Sequence, residues 1–249
     1  MAKPKKTRAD LLLVDRGLVE SRTRAQAVIM AGLVFSGERR IEKPGDALPT
    51  DAPLDLRGQD HPWVSRGGLK LAHALDHFGL DAEGLVCLDV GASTGGFTDV
   101  LLSGGANRIY AVDVGKGQLA WKLRQDEHVV VLEGTNARHL TRAMVPDDID
   151  LVVCDASFIG LEKVLPIPLG LTRPGGRLIA LIKPQFQAGA ADVGKGGVVR
   201  DPAVHERVCR ETHEWLETQP GWRVIGTTES PITGPAGNKE FLIAAVRDP

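Results

Sequence analysis

Four ionisable residues stand where the chain gives charge no easy home. Asp155 and Lys183 close the apolar runs Leu151 to Cys154 and Leu178 to Ile182; Lys70 lies on a helix ahead of the run Val86 to Val90, and Glu240 directly precedes Phe241 to Val246. A charge at the end of a buried strand needs a partner or a function, because desolvating an unpaired ion is costly. Taken singly, each would pass as surface. The second stretch able to do chemistry is Asp89-Val90-Gly91-Ala92-Ser93-Thr94-Gly95-Gly96-Phe97. An apolar run leads in and helical spacing leads out, which predicts a strand, a glycine-rich turn and a helix start. Glycines there let a ligand approach the backbone, and the first N–H groups of the helix offer donors. An ordinary tight turn would carry the same glycines, so this signal is weak by itself.

The elements that must position these residues follow from Leu85 onward. Val86 to Val90, Ile109 to Val112, Val129 to Leu132, Leu151 to Cys154 and Leu178 to Ile182 are short runs rich in Val and Ile, separated by segments long enough for crossover helices. Pro202 to Thr218 predicts a helix, and Trp222 to Thr228 with Phe241 to Val246 a closing strand pair. The expected fold is α/β and Rossmann-like, with a mostly parallel seven-stranded sheet. In such sheets ligands sit beyond the C-terminal strand ends, where strand order reverses.

Two cofactor classes compete for that place. A dinucleotide wants GxGxxG, whereas S-adenosylmethionine sites show an acidic residue followed by GxGxG. Here Asp89 leads and Ser93 replaces the middle glycine. An anionic Asp89 would repel a pyrophosphate but can face a cationic amino-acid moiety, which favours S-adenosylmethionine. The expected contacts are Asp89, Gly91, Ser93, Thr94, Gly95, Gly96 and Phe97, with Asp113 for ribose hydroxyls and Asn136 near the adenine. Gly189 to Lys195 has the spacing of a P-loop, but Gly196 stands where a Mg²⁺-binding Ser or Thr is required. A mobile, lysine-bearing loop beside the active-site mouth is the expectation for that segment.

Ahead of the α/β region, Ala9 to Arg16 and Ser21 to about Ala31 read as helices ending at Gly17 and Gly32, followed by two short strands around Ser36-Gly37-Glu38. This predicts a small α+β domain over residues 1–60, a linker over 61–64 containing Pro62 and Trp63, and a second domain over 65–249 whose first helix is capped by Ser65 and carries Leu69, Ala72 and Leu75 on one side. Arg22 and Arg24 oppose the helix dipole in a first turn, which suits guanidiniums held out for phosphate. The start is basic, with Lys3, Lys5, Lys6 and Arg8; residues 1–65 hold 11 Lys and Arg against 9 Asp and Glu, and the remainder 19 against 23.

Composition limits the alternatives. With 43% hydrophobic and 25% charged residues, the chain reads as an ordinary soluble protein. Cys87, Cys154 and Cys209 lie far apart without a CxxC, so reduced thiols in the cytoplasm and no metal site are expected. Leu11 to Val14 is too short for a signal or a membrane span.

The first region resembles the RNA-binding domain known from ribosomal protein S-four, through Ser21-Arg22, Ala25, Val28-Ile29, Gly32 to Gly37 and Lys43 to Asp46, over roughly Lys6 to Asp60. Ser36 replaces the usual turn asparagine. Lys70, Asp155, Lys183 and Glu240 together resemble the tetrad of the FtsJ-like ribose 2′-O-methyltransferases. With Trp63-Val64-Ser65-Arg66-Gly67-Gly68-Leu69-Lys70, Lys183-Pro184-Gln185-Phe186, Gly194-Lys195-Gly196-Gly197 and Gly237-Asn238-Lys239-Glu240 added, essentially the whole chain resembles the TlyA family; His61-Pro62 departs from its linker pattern. The resemblance implies S-adenosylmethionine-dependent 2′-O-methylation of a cytidine in ribosomal RNA of the large and, in some members, the small subunit. It also implies RNA contacts at Arg8, Arg22, Arg24 and Arg66, and no obligate protein partner is evident. Lys183 is then the group that takes or steers the hydroxyl proton. The sulfonium and Lys70 disfavour a further cation there, while Asp155 and Glu240 oppose that effect. The family's haemolysin name raises membrane damage as an alternative, which the lack of a long apolar or strongly amphipathic cationic segment disfavours. A small-molecule methyltransferase is the other alternative.

Overall fold

The computed structural model describes residues 6–19, 21–30, 32–56, 61–234 and 237–249. Lys3, Lys5, Ala31 and Asp60, cited above for the basic start, a helix end and a domain end, lie outside the described residues. The chain divides into two compact units, Met1–Pro62 and Trp63–Pro249.

In the first unit β1 (Lys6–Arg8) leads into α1 (Ala9–Asp15), followed by α2 (Arg22–Met30), β2 (Val34–Ser36), β3 (Arg39–Arg40), β4 (Ala47–Pro49) and β5 (Asp55–Leu56). β1 pairs antiparallel with β4, and β2 lies between β3 and β5. Ser21 Oγ accepts the Arg24 backbone N–H at 3.1 Å, so the expected cap starts α2. Leu12, Leu13, Val28, Ile29, Val34 and Ile41 form its core.

The second unit begins with α3 (Gly67–Phe78) and β6 (Val86–Val90), then α4 (Gly96–Ser103), β7 (Arg108–Asp113), α5 (Trp121–Arg124), β8 (Val129–Glu133) and β9 (Ile149–Cys154). It continues through α6 (Leu161–Val164), α7 (Pro166–Leu171), β10 (Thr172–Ile182), α8 (Pro184–Gln187), α9 (Pro202–Glu217), β11 (Trp222–Glu229) and β12 (Phe241–Arg247). The seven strands lie in the order β11-β12-β10-β9-β6-β7-β8, and β12 alone runs opposite to the other six. Alternate side chains feed two cores, Leu88, Tyr110 and Val152 on one face and Cys87, Ile109 and Val153 on the other, which is why the strands read as continuous apolar runs. Asp201 caps α9 by accepting the Ala203 N–H at 2.9 Å, with Pro202 in its first turn.

Three local expectations are corrected. Ser65 does not cap α3; Arg66 occupies the cap position with helical φ and ψ and no side-chain bond, while the Ser65 carbonyl accepts the Gly68 N–H at 3.0 Å. The fully buried face of α3 carries Lys70, Leu71 and Ala74, leaving Leu69, Ala72 and Leu75 half-buried. Trp63 packs where a Gly68 Cβ would be, and the inward face carries a lysine that apolar patterning passes over. Between β8 and β9 only a short 3₁₀ turn, Ala137–His139, replaces the expected crossover helix; buried Ala137, Leu140 and Val145 cover the sheet there instead.

Candidate active site

Chain order builds β6, β7 and β8 outward on one side and then β9 and β10 on the other, so strand order reverses between β6 and β9. A crevice opens there at the strand ends. Gly91, with φ +85, follows β6 directly, and a Cβ on it would come within 2.9 Å of the Ala156 backbone. Only glycine fits that close approach. Ser93 holds φ +48, the left-handed conformation that a glycine would adopt without strain. Its N–H donates to Asp113 Oδ2 at 2.8 Å and its hydroxyl to Gln118 Oε1 at 3.2 Å. Asp113 Oδ1 accepts the Gly115 N–H at 2.7 Å.

Two adjoining cavities result. One, of about 450 Å³, is lined by Gly91, Ser93, Val112, Asp113, Val114 and Asn136, among others. Asn136 Oδ1 accepts the Arg138 N–H at 3.1 Å, which leaves its amide nitrogen for a ligand. The other cavity, of about 380 Å³, is lined by Thr94, Gly96, Phe97, Arg66, Lys70, Lys183 and their neighbours. Gly91, Ser93, Asp155 and Ser157 border both.

Of the expected cofactor contacts, Asp89 and Gly95 line neither cavity. Asp89 is fully buried beneath the turn, where its Oδ2 accepts the Thr98 hydroxyl at 2.6 Å. Burial outweighs that bond and pushes its carboxyl up to about 7. Gly95 starts α4 with φ +96, and a Cβ there would strike Leu123 and Leu119, so its glycine serves packing. The Gly189 to Lys195 segment lines neither cavity; Gly194 pairs antiparallel with Val198 and Asp192 forms an ion pair with Arg207, while just beyond it Asn238 accepts the Val199 N–H and donates to the Gly197 carbonyl, each at 3.0 Å.

The four ionisable residues come together. Lys70 from α3 donates to Glu240 Oε2 at 2.7 Å and lies 3.7 Å from Asp155 Oδ2. Lys183, just beyond β10, has its Nζ 2.5 Å from Asp155 Oδ1 and donates to the Asp155 carbonyl at 3.0 Å and to Ser157 Oγ at 2.8 Å. Lys70, Lys183 and Glu240 are 7%, 6% and 1% exposed. Two cations and two anions cancel formally, which is what allows such a cluster to be buried.

Sequence reasoning missed the residues that hold this cluster. Gln185 Nε2 donates to Glu240 Oε1 at 3.1 Å. Gln187 accepts the Lys183 backbone N–H at 3.2 Å and donates to Thr212 on α9 at 2.9 Å. Gln185 lies within the Lys183-Pro184-Gln185-Phe186 motif and Gln187 directly follows it, so their proximity to Lys183 was available as a signal. Phe158, two residues after Ala156, is 89% exposed with φ +64, and its ring lies 4.8 Å from that of Phe186. Asp99 accepts the Val64 N–H at 2.7 Å and pairs with Lys122 at 2.9 Å, joining the segment before α3 to the helix after the turn.

Residues 63–247 match the FtsJ-like methyltransferase family. Over 244 residues the chain is 45% identical to 16S/23S rRNA (cytidine-2′-O)-methyltransferase TlyA of Mycobacterium tuberculosis, covering 96% of this chain and 89% of that protein. The chain belongs to the TlyA family. Hemolysin A of Brachyspira hyodysenteriae is 39% identical over 236 residues, 94% of this chain and 98% of that one. A solved structure from Streptococcus thermophilus, provisionally named a hemolysin, superposes with a TM-score of 0.77 at 41% identity, covering 99% of this chain and 90% of that chain. No described helix of this TlyA-family chain is long and apolar enough to cross a membrane.

In the first unit of this TlyA-family chain a buried carboxylate gathers exposed cations. Asp10 Oδ1 and Oδ2 accept Arg8 Nε and Nη2, each at 2.9 Å; Oδ2 also takes Arg22 Nε at 3.0 Å and Gln26 Nε2 at 3.1 Å. The Arg8 guanidinium leads in holding the Asp10 carboxyl well below the usual range, with Gln26 and Arg22 adding to it against burial. The Arg8 and Arg22 side chains remain 46% and 54% exposed. Arg24 contributes its backbone N–H to the α2 cap.

Proposed function

We propose that the chain transfers a methyl group from S-adenosylmethionine to the ribose 2′-hydroxyl of a cytidine in ribosomal RNA. The observation that carries this reading is the cluster of Lys70, Asp155, Lys183 and Glu240, closed by ion pairs and opening on a cavity that shares its border with the glycine-rich turn. S-Adenosylmethionine, when bound, supplies an electrophilic methyl group on a cationic sulfur. Gly91, Ser93, Asp113 and Asn136 would hold it: the cavity is of ligand size, and the Asp113 oxygens keep lone pairs for ribose hydroxyls beyond the two N–H groups they accept. Thr94, Gly96 and Phe97 form the wall towards the tetrad.

Lys183 Nζ takes or steers the proton of the 2′-hydroxyl. Asp155 fixes Nζ, while Lys70 and Glu240 brace Asp155 from its other oxygen. Holding a weak nucleophile in line supplies much of the rate, up to about 7–11 kcal/mol for well-oriented reactants. Residues 1–60 serve as an S-four-like RNA-binding domain, 61–64 as a linker and 65–249 as the methyltransferase domain. Arg8, Arg22, Arg24 and Arg66 meet phosphates, and the exposed Phe158 ring offers a stacking face for a base. A ribosomal substrate sets the site of action in the cytoplasm.

Incubating the purified protein with ribosomal subunits and cofactor labelled in its methyl group tests the reading. Label is expected in ribosomal RNA; label confined to small molecules, or none, rejects it.

A further inference from the structure

Lys183 Nζ makes two aligned hydrogen bonds among the described residues, to the Asp155 carbonyl at 3.0 Å and to Ser157 Oγ at 2.8 Å, and it has Asp155 Oδ1 beside it at 2.5 Å. These three acceptors differ in freedom. The Asp155 carbonyl belongs to a chain segment anchored by the Asp155 N–H to the Val90 carbonyl at 3.0 Å. The carboxylate faces Lys70 as well, so turning it away would loosen a second ion pair. Ser157 is an exposed side chain with a single rotatable hydroxyl, and it borders both cavities. An incoming hydroxyl oxygen can share or replace the place of its Oγ, but not that of either Asp155 acceptor.

We propose that Ser157 is a positioning residue for Lys183, its hydroxyl supplying the one Nζ acceptor that does not belong to Asp155 and so aiming Nζ at the border of the two cavities, where the substrate hydroxyl must stand. This rests on the proposed function, in which Lys183 handles the proton of that hydroxyl. Without Oγ the remaining acceptors both belong to Asp155, and Nζ settles towards them. The cost falls on the chemical step more than on binding.

The test measures single-turnover methyl transfer to ribosomal RNA for the wild type, Ser157→Ala, Ser157→Thr and Lys183→Ala, with calorimetric binding of S-adenosylhomocysteine to each. Ser157→Ala is expected to slow transfer about 10- to 100-fold, the size of a lost hydrogen bond to a charged group, with S-adenosylhomocysteine affinity within about twofold of wild type. Ser157→Thr, which keeps the hydroxyl, is expected to recover most of the rate. Wild-type transfer by Ser157→Ala while Lys183→Ala is inactive overturns the inference and leaves the proposed function standing. Equal slowing by Ala and Thr with parallel loss of affinity also overturns it, because the serine would then only shape the cavity wall. Unimpaired transfer by Lys183→Ala would instead remove the reading on which the inference rests.

Discussion

Two regions of the molecule use a buried carboxylate to organise cations, and they do so to opposite ends. In the second unit Asp155 and Glu240 hold Lys70 and Lys183, and both lysines are almost fully withdrawn from solvent. In the first unit Asp10 is buried but its arginines are half-exposed. A closed cluster fixes atoms to a geometry, which suits a reaction. An open one holds guanidiniums in place while leaving part of their donor fork for another anion, which suits binding. The difference lies in the cations: a compact ammonium can be enclosed by two carboxylates, whereas the broader guanidinium reaches past its partner.

The sharpest way to separate the two is to remove one cation from each. Lys183→Ala is expected to lower the methyl-transfer rate by about 10²–10⁴-fold, the usual contribution of a positioned proton-handling group, while RNA affinity stays within a few fold. Rate measurements beside filter binding check this, and a loss carried mainly by affinity would erase the distinction. The closed cluster should also be the harder to break. Lys70→Ala leaves Glu240 buried with Gln185 as its neutral donor and is expected to cost about 3–5 kcal/mol, as for other broken buried ion pairs, measured by urea denaturation. A cost near zero would mean that the cluster is far wetter than its burial indicates.

In the open cluster the expected effect is smaller and depends on salt. Arg8→Ala with Arg22→Ala should weaken RNA binding and reduce the slope of log affinity against log salt by about 0.7–0.9 for each phosphate that is no longer neutralised. An unchanged slope would return those arginines to holding Asp10 alone.

The mildest expectation concerns pH, where two buried aspartates have opposite signs. Asp89 is pushed up to about 7, so its contribution is fully present below its unfolded value near 4 and is lost as pH rises through about 7. Asp10 is pulled down, so its contribution is present above that unfolded value and is lost only on strong acidification. The melting temperature of the chain between pH 6 and 8 should therefore fall with rising pH through Asp89, and Asp89→Asn should flatten that fall. A slope unchanged in Asp89→Asn would show that another group is responsible.

Much of this was legible in the sequence. The seven strands follow from apolar runs with flanking glycines and prolines, because parallel strands covered on both faces leave little room for polar residues. Lys70, Asp155, Lys183 and Glu240 were legible as a set through the motifs around them, and the turn through its glycines. The functions of individual turn residues were not, because Gly91 meets Ala156 and Gly95 meets Leu119 and Leu123, neighbours that only tertiary packing decides. Asp89 reads as a ligand contact because an acidic residue beside glycines resembles one; that its carboxyl is buried and accepts the Thr98 hydroxyl could not be read from the sequence. Ser157, Gln185 and Gln187 are ordinary by type and gain meaning only through the atoms they face. Asp10 was hidden because an aspartate in a first helical turn is already explained by the helix dipole.

The central claim is that the closed cluster works on a ribose hydroxyl. Mapping the methyl group in ribosomal RNA treated with the purified protein and S-adenosylmethionine tests it most directly, by nuclease resistance and mass analysis of the released nucleosides. The account predicts 2′-O-methylcytidine at a defined position in RNA treated with wild type, and at the same early time point at least about 100-fold less of it with Lys183→Ala. Methyl groups on bases, or ribose methylation by Lys183→Ala at the wild-type rate, would contradict it.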